Sequence, residues 1–194
     1  MEALEAILTR RSTRRYTGEM PDKTLIEQVI EAGRHAPSGG NNQTTHLIVF
    51  TDPDKLQVLS GLVQTAFAAM EITEGMYGSL KNSIQASKKG GYVFYYGAPV
   101  LIVTANKKGY GNAMADSACV LENMMIAASA LDLGACWINQ LHWLDEEESI
   151  RAYLGKAGLG EDETITGGLI LGYAEGGKPA REPVLRKGNP VTWT

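Results

Sequence analysis

Residues 112–140, NAMADSACVLENMMIAASALDLGACWINQ, decide how the chain folds. Between Ala113 and Leu131 the one charged residue far from an end is Glu122. Ala118, Leu121, Met125 and Ala128 recur at helical spacing, while Val120, Met124, Ile126 and Ala127 fill the other faces. The pattern predicts a helix buried nearly all round. Its many small residues let other backbones come close, a sheet on one side and a partner subunit on the other. Gly134 is expected at the helix stop. Ala135–Ile138 then reads as a short buried strand that runs into two amides, Asn139 and Gln140, and a strand ending in this way presents them at a site.

With 194 residues, 44% hydrophobic and 21% charged, the chain has enough material for one substantial core and is short for two. A single domain spanning 1–194 is expected. The net charge of −4 and the pI near 5.4 argue against nucleic acid as a partner, because neutralising phosphates needs a basic face. Cys119 and Cys136 have no metal or redox spacing and read as small buried apolar side chains. The N-terminus places acids before its apolar residues, unlike a secretory signal, and no run reaches the roughly 20 apolar residues of a membrane helix. A cytoplasmic protein with no membrane partner is the expectation.

Upstream, residues 2–9 form a short amphipathic helix with Leu4, Ile7 and Leu8 on one face. It leads into Arg10-Arg11-Ser12-Thr13-Arg14-Arg15, four arginines in six positions. Such a run repels itself unless an anion sits among the guanidinium groups; taken alone it also fits a solvated basic turn. A helix from Pro21-Asp22 to about Ala36 follows, ended by Pro37. The loop Pro37-Ser38-Gly39-Gly40-Asn41-Asn42-Gln43 combines glycines, which let backbone N–H groups approach a ligand, with amides that match an edge of alternating donors and acceptors; taken alone it fits plain turn chemistry equally well. The strand His46–Phe50 comes next, then a helix opened by Asp52-Pro53. Thr65–Gly91 is helical without a clean period and fits either a cover over a pocket or a mobile helix pair. Val100–Ala105 is a continuous apolar run of the central-strand type. Beyond the organising stretch, Asp145 is expected to cap a helix with Glu146–Glu148 in its first turn. Thr164–Tyr173 reads as the last core strand. The tail, with Val184, Leu185, Val191 and Trp193, lies across its own core or a neighbouring subunit.

The chain has no G-x-G-x-x-G after a strand, no P-loop and no nucleophile elbow. His35, His46 and His142 are scattered, with no carboxylate cluster beside them. The chemistry is therefore expected to be carried by a bound organic cofactor, with no catalytic side chain and no metal.

The Arg-rich segment, the Pro-Ser-x-x-Asn-x-Gln loop, Tyr96-Gly97-Ala98-Pro99 before a strand, and Asp116 opening the long helix that ends in Leu-x-Leu-Gly-x-Cys-Trp-Ile together resemble the nitroreductase family. The matches keep the family's order over essentially the whole chain. The resemblance implies an α+β fold, a central mixed, largely antiparallel sheet flanked by helices, in an intertwined homodimer with exchanged terminal segments. It implies bound FMN at the dimer interface, NADH or NADPH as transient reductant, and a small-molecule electron acceptor, a nitroaromatic or quinone, served by a ping-pong mechanism. By the family's pattern Arg10, Ser12 and Arg14, with Arg11 nearby, hold the phosphate and ring edge. Pro37, Ser38, Asn41 and Gln43 reach the flavin from the other subunit. Trp137, Ile138, Asn139 and Gln140 lie along its face, and Lys178 or Arg181 completes the phosphate site. Two departures stand out: Thr44-Thr45 where many relatives have Pro-Trp, and Asn139-Gln140 where many have small residues. The same fold also hosts reductive dehalogenation and dehydrogenation, and a flavin-binding protein without turnover is the alternative of a different class.

Overall fold

The strand Val100–Lys107 (β2) is buried from its first residue through Asn106, and it holds the sheet together. It pairs antiparallel with His46–Phe50 (β1) on one side and with Glu163–Gly172 (β4) on the other. Gly134–Ile138 (β3) adds antiparallel to the far edge of β4, giving the order β1-β2-β4-β3. A parallel contribution comes from the Arg-rich segment, where Ser12 bridges to Ala135. The computed structural model describes residues 2–177, 182–183 and 188–194.

Alternation along β2 separates two cores. Leu101, Val103 and Ala105 join Ile48, Phe50, Ile165 and Ile170 on one face. That face is covered by Pro53–Ala69 (α3), Gly78–Lys89 (α4) and Glu148–Lys156 (α7), through Leu59, Phe67, Ile84, Ile150 and Leu154. On the other face Val100, Ile102, Leu169 and Leu171 meet Lys23–Arg34 (α2) and Ala113–Ala130 (α5). The result is a three-layer α+β arrangement. Among the described residues no helix is long and apolar enough to cross a membrane.

Several expectations hold in detail. Asp52 caps α3, accepting from the backbone N–H groups of Asp54 and Lys55. The Thr65–Gly91 stretch is the end of α3, a turn and α4.

Others are corrected. The helix α5 buries Val120, Leu121, Met124, Met125 and Ala128 against the sheet, but Met114, Ala115 and Cys119 are exposed, so the helix is not buried all round in one chain and Cys119 is not a core residue. Its stop is also not Gly134. Asp132 takes the left-handed conformation (φ 61°), and the N–H groups of Asp132 and Leu133 donate to the Ser129 and Ala128 carbonyls, which closes the helix end. Asp145 caps nothing: α7 begins at Glu148, and Asp145 is buried in an ion pair with Arg151 at 2.9 Å. Its carboxylate also accepts from the Thr164 hydroxyl and the Ile165 N–H. The N-terminal helix Ala3–Thr9 (α1) turns Ala6 and Thr9 inward, leaving Leu4, Ile7 and Leu8 facing away from the chain's own core.

Candidate active site

Arg10–Arg15 runs extended beside β3, anchored by the Ser12 bridge and by the Thr13 N–H donating to the Ala135 carbonyl at 3.0 Å. Extended geometry sends Arg10, Ser12 and Arg14 to one side and Arg11 and Thr13 to the other. Thr13 packs on Gly134, where a Cβ would lie 2.7 Å from Thr13 Cγ2, so glycine at the head of β3 is what lets the arginine segment lie close. Arg10 approaches Glu122 at 3.8 Å, and its Nε is buried without a hydrogen-bond partner. Glu122, the isolated charge of the long helix, therefore belongs to the cationic segment. Arg11 is engaged elsewhere: it donates to the carbonyls of Thr9 at 2.9 Å and Arg10 at 3.2 Å, and to that of Glu182. Burial pushes the Cys136 thiol up, while Arg14, the Ser12 hydroxyl and Arg10 oppose that rise. The guanidinium groups thus throw a positive field over the middle of β3.

Arg14 and Trp137–Gln140 line one open cleft. Its other wall is Tyr77 and Ser79 at the start of α4, with Tyr96 and Trp143. The two amides at the strand end are fixed differently. Asn139 Oδ1 accepts from the Trp137 indole N–H at 2.7 Å. Gln140 opens the short helix Gln140–Trp143 (α6) and donates through Nε2 to the Tyr92 hydroxyl at 3.0 Å. Tyr92 in turn sits 2.9 Å from Ser83 Oγ on α4. Burial raises the Tyr92 phenol, and its bonds to Ser83 and Gln140 lower it. Gln140 Oε1 is buried with no partner. Tyr77, Ser83, Tyr92, Tyr96 and Trp143 did not emerge from the sequence as site residues; Tyr77 lies in the aperiodic apolar stretch 65–91 and Tyr96 in the Tyr96-Gly97-Ala98-Pro99 match, while Tyr92 and Trp143 carried no signal.

A second cleft is lined by Pro37, Ser38, Gln43, Thr45, Asp116 and Val120, among others. The loop beside it contains a 3₁₀ turn, Gly39–Asn41. The Gln43 N–H donates to Ser38 Oγ at 3.0 Å, and the Gln43 side chain donates to Asn41 Oδ1 at 3.0 Å. The two clefts have no lining residue in common. One chain therefore joins Arg14 to Trp137–Gln140, and it does not join either to Pro37–Gln43. Lys178 and Arg181 lie outside the described residues.

The histidines are each engaged: His46 Nδ1 with Glu163 at 3.0 Å, His35 with Glu31 at 3.2 Å, and His142 Nδ1 with the Ile165 carbonyl at 2.7 Å. Among the described residues no group of three or more His, Cys, Asp and Glu is placed to hold a metal. The arrangement instead offers cationic forks, short hydroxyls, amides and flat aromatic walls, a set that suits an anionic, planar organic group.

The family model of the nitroreductase family matches residues 7–173. An Archaeoglobus fulgidus protein with the provisional name NADH dehydrogenase/NAD(P)H nitroreductase is 28% identical over 176 residues, covering 89% of this chain and 85% of its own. Nitrobenzene nitroreductase of Ectopseudomonas oleovorans is 21% identical over 212 residues, covering 94% and 91%. The solved structure of a Bacteroides fragilis nitroreductase with bound FMN superposes with a TM-score of 0.86 at 31% identity, over 100% of both chains. The match covers every strand and both clefts, and the chain belongs to the nitroreductase family.

Proposed function

We propose that the protein is an FMN-dependent oxidoreductase that takes electrons from NADH or NADPH and passes them to a small acceptor, a nitroaromatic or quinone, by a ping-pong mechanism. The observation that carries this reading is the division of suitable chemistry between two clefts that do not meet within one chain. A homodimer supplies the missing half of each site. In it, Arg10, Ser12 and Arg14 hold the phosphate and ring edge, while Pro37, Ser38, Asn41 and Gln43 of the second subunit close over the ring. Trp137–Gln140 lie along its face and direct backbone N–H groups to it. Lys178 or Arg181 is proposed to complete the phosphate site.

The residues present fit FMN on two counts. Arg10 Nε is a buried donor without a hydrogen-bond partner, 3.8 Å from Glu122, on the segment assigned to the phosphate. Arg14, exposed and without an ion pair among the described residues, faces the same cleft as the strand-end amides. Bound FMN would supply a ring that accepts hydride from a reduced nicotinamide and gives electrons to an acceptor. The chain's own part is orientation. Tyr77 and Trp143, packed edge to face on each other at 6.0 Å, give one wall of the open cleft an aromatic surface that suits flat molecules. Nicotinamide and acceptor use that cleft in turn, and protons come from solvent.

Dimerisation is supported by apolar surface that stands exposed among the described residues. Leu4 is 73% exposed, Ile7 and Leu8 lie beside it, and Met114 and Cys119 line the outer side of α5. Trp193, next to the last residue, is 92% exposed, and among the described residues β1 is unpaired on its outer edge, which an apolar groove of Met20, Ile26 and Val49 flanks. Exchange of the tail onto that edge of the second subunit is part of the proposal. Steady-state rates with NADH or NADPH and a nitroaromatic test the reaction: parallel double-reciprocal lines support ping-pong transfer, and intersecting lines oppose it.

A further inference from the structure

We propose that Asp116 and Tyr110 form a clamp that holds the Pro37–Gln43 loop in its cofactor-binding shape, which makes them positioning residues of the site. The inference rests on the FMN reading above and adds two residues that no cofactor contact requires.

The loop is strained. Gly40, Asn41 and Gln43 all have left-handed backbone, with φ of 60°, 55° and 52°. Glycine accepts this freely and asparagine tolerates it, whereas glutamine does so only where its surroundings over-determine the conformation. Ser38 and Asn41 hold Gln43 from within the loop, and the start of α5, about 70 residues away in sequence, holds the loop itself at Gly39 and Asn42. Asp116 is 5% exposed and forms no ion pair among the described residues. One of its oxygens accepts from the Gly39 N–H at 3.0 Å and the other from the Tyr110 hydroxyl at 3.0 Å. That hydroxyl also lies 3.1 Å from the Gly39 carbonyl, and the Asn42 side chain donates to it at 3.3 Å. With one proton to give, the Tyr110 hydroxyl donates either to Asp116 or to the Gly39 carbonyl, while Asp116 holds the Gly39 N–H in both cases. A Cβ there would fall 2.1 Å from Asn112 Nδ2 and 2.7 Å from the Tyr110 hydroxyl, so the loop backbone is pressed directly onto the clamp.

A buried carboxylate without a cation is expensive, and placement in the first turn of α5, at the positive end of the helix dipole, offsets only part of that cost. What the carboxylate returns is loop geometry. Asp116 also lines the cleft that Pro37, Ser38 and Gln43 share, so the clamp stands directly behind the groups assigned to FMN. Rigid support of this kind reduces the ordering cost of binding.

The test compares FMN dissociation constants of full-length Asp116→Ala, Asp116→Asn and Tyr110→Phe with wild type, read by quenching of flavin fluorescence. Asp116→Ala is expected to weaken FMN about tenfold, equivalent to about 1.4 kcal/mol. Asp116→Asn stays within about threefold, because its oxygen still accepts from Gly39 and its amide can donate to Tyr110. Tyr110→Phe falls between them and covers the case in which the alanine variant does not fold. A general loss of structure would not be repaired in trans, whereas a clamp acting on one half-site would. Co-expression of Asp116→Ala with Arg10→Ala subunits is expected to give a heterodimer with one intact site that binds FMN at wild-type affinity. Wild-type affinity in both Asp116→Ala and Tyr110→Phe, or a heterodimer with no tight site, overturns the proposal. Failure of the wild-type protein to bind FMN overturns the functional reading instead, and the clamp with it.

Discussion

Thr13 occupies the space that a side chain at residue 134 would need: a Cβ on Gly134 would lie 2.7 Å from Thr13 Cγ2 and 2.8 Å from its Oγ1. This contact sets the distance between the arginine segment and β3, and hence between the groups assigned to the two ends of the cofactor. Gly134→Ala is expected to destabilise the fold by about 1–3 kcal/mol through overpacking and to loosen FMN. Adding Thr13→Ala, which removes two of the three close contacts, should restore part of both. Thermal melts and FMN titrations of the single and double variants check this; no recovery in the double variant would contradict it.

Arg10→Ala is expected to lower FMN affinity by a factor of about 10–100, the worth of a charge-assisted hydrogen bond of roughly 1.5–3 kcal/mol. The fold should survive, because the Glu122 partner lies 3.8 Å away and its side chain is half exposed, and such pairs contribute roughly 0–1 kcal/mol. FMN occupancy after dialysis, with a melting curve on the same sample, separates the two effects. Full occupancy would show that Arg10 does not hold the phosphate.

Asp145→Ala should behave in the opposite way, destabilising the fold by about 3–5 kcal/mol, since it strands the Arg151 cation of a largely buried pair. It also removes the acceptor of the Thr164 hydroxyl and the Ile165 N–H. Denaturant unfolding measures this; a loss below about 1 kcal/mol, the size of a helix cap, would mean that the network contributes little.

The Asp145 segment illustrates where sequence and fold part company. Asp followed by three glutamates has the local signature of a helix start, yet a tertiary partner six residues on, Arg151, outcompeted the cap. Elements set by local chemistry were legible: β1 by its apolar run, α3 by Asp52-Pro53, β3 by its position after the long helix. Arg14 and Trp137–Gln140, put together by the family resemblance, line one cleft. Orientation was not legible. The period of Leu4, Ile7 and Leu8 marks a face without saying that it turns outward, and Cys119 lies on the outer side of a helix whose composition reads as core throughout. Tyr92 was missed because its meaning depends on Gln140 and Ser83, residues that only the folded chain brings to it.

Stability is expected to decline at alkaline pH. Burial raises the Cys136 thiol and the Tyr92 and Tyr95 phenols above their ordinary values in the folded chain. The unfolded chain releases these protons first, from roughly pH 8.5 for the thiol and 10 for the phenols. Above that point it binds fewer protons than the native state, so stability is fully present at lower pH and is lost as pH rises. Melting temperatures at pH 7.5 and pH 10 test the sign; an unchanged or higher value at pH 10 would contradict it.

The central claim is tested most directly by anaerobic absorbance of the purified protein reconstituted with FMN and freed of excess cofactor. The account predicts a yellow protein that bleaches on addition of NADH or NADPH and, after the nicotinamide is removed, recovers its colour when a quinone or nitroaromatic is added. Protein that takes up no FMN, or bound flavin that neither nucleotide bleaches, would contradict it.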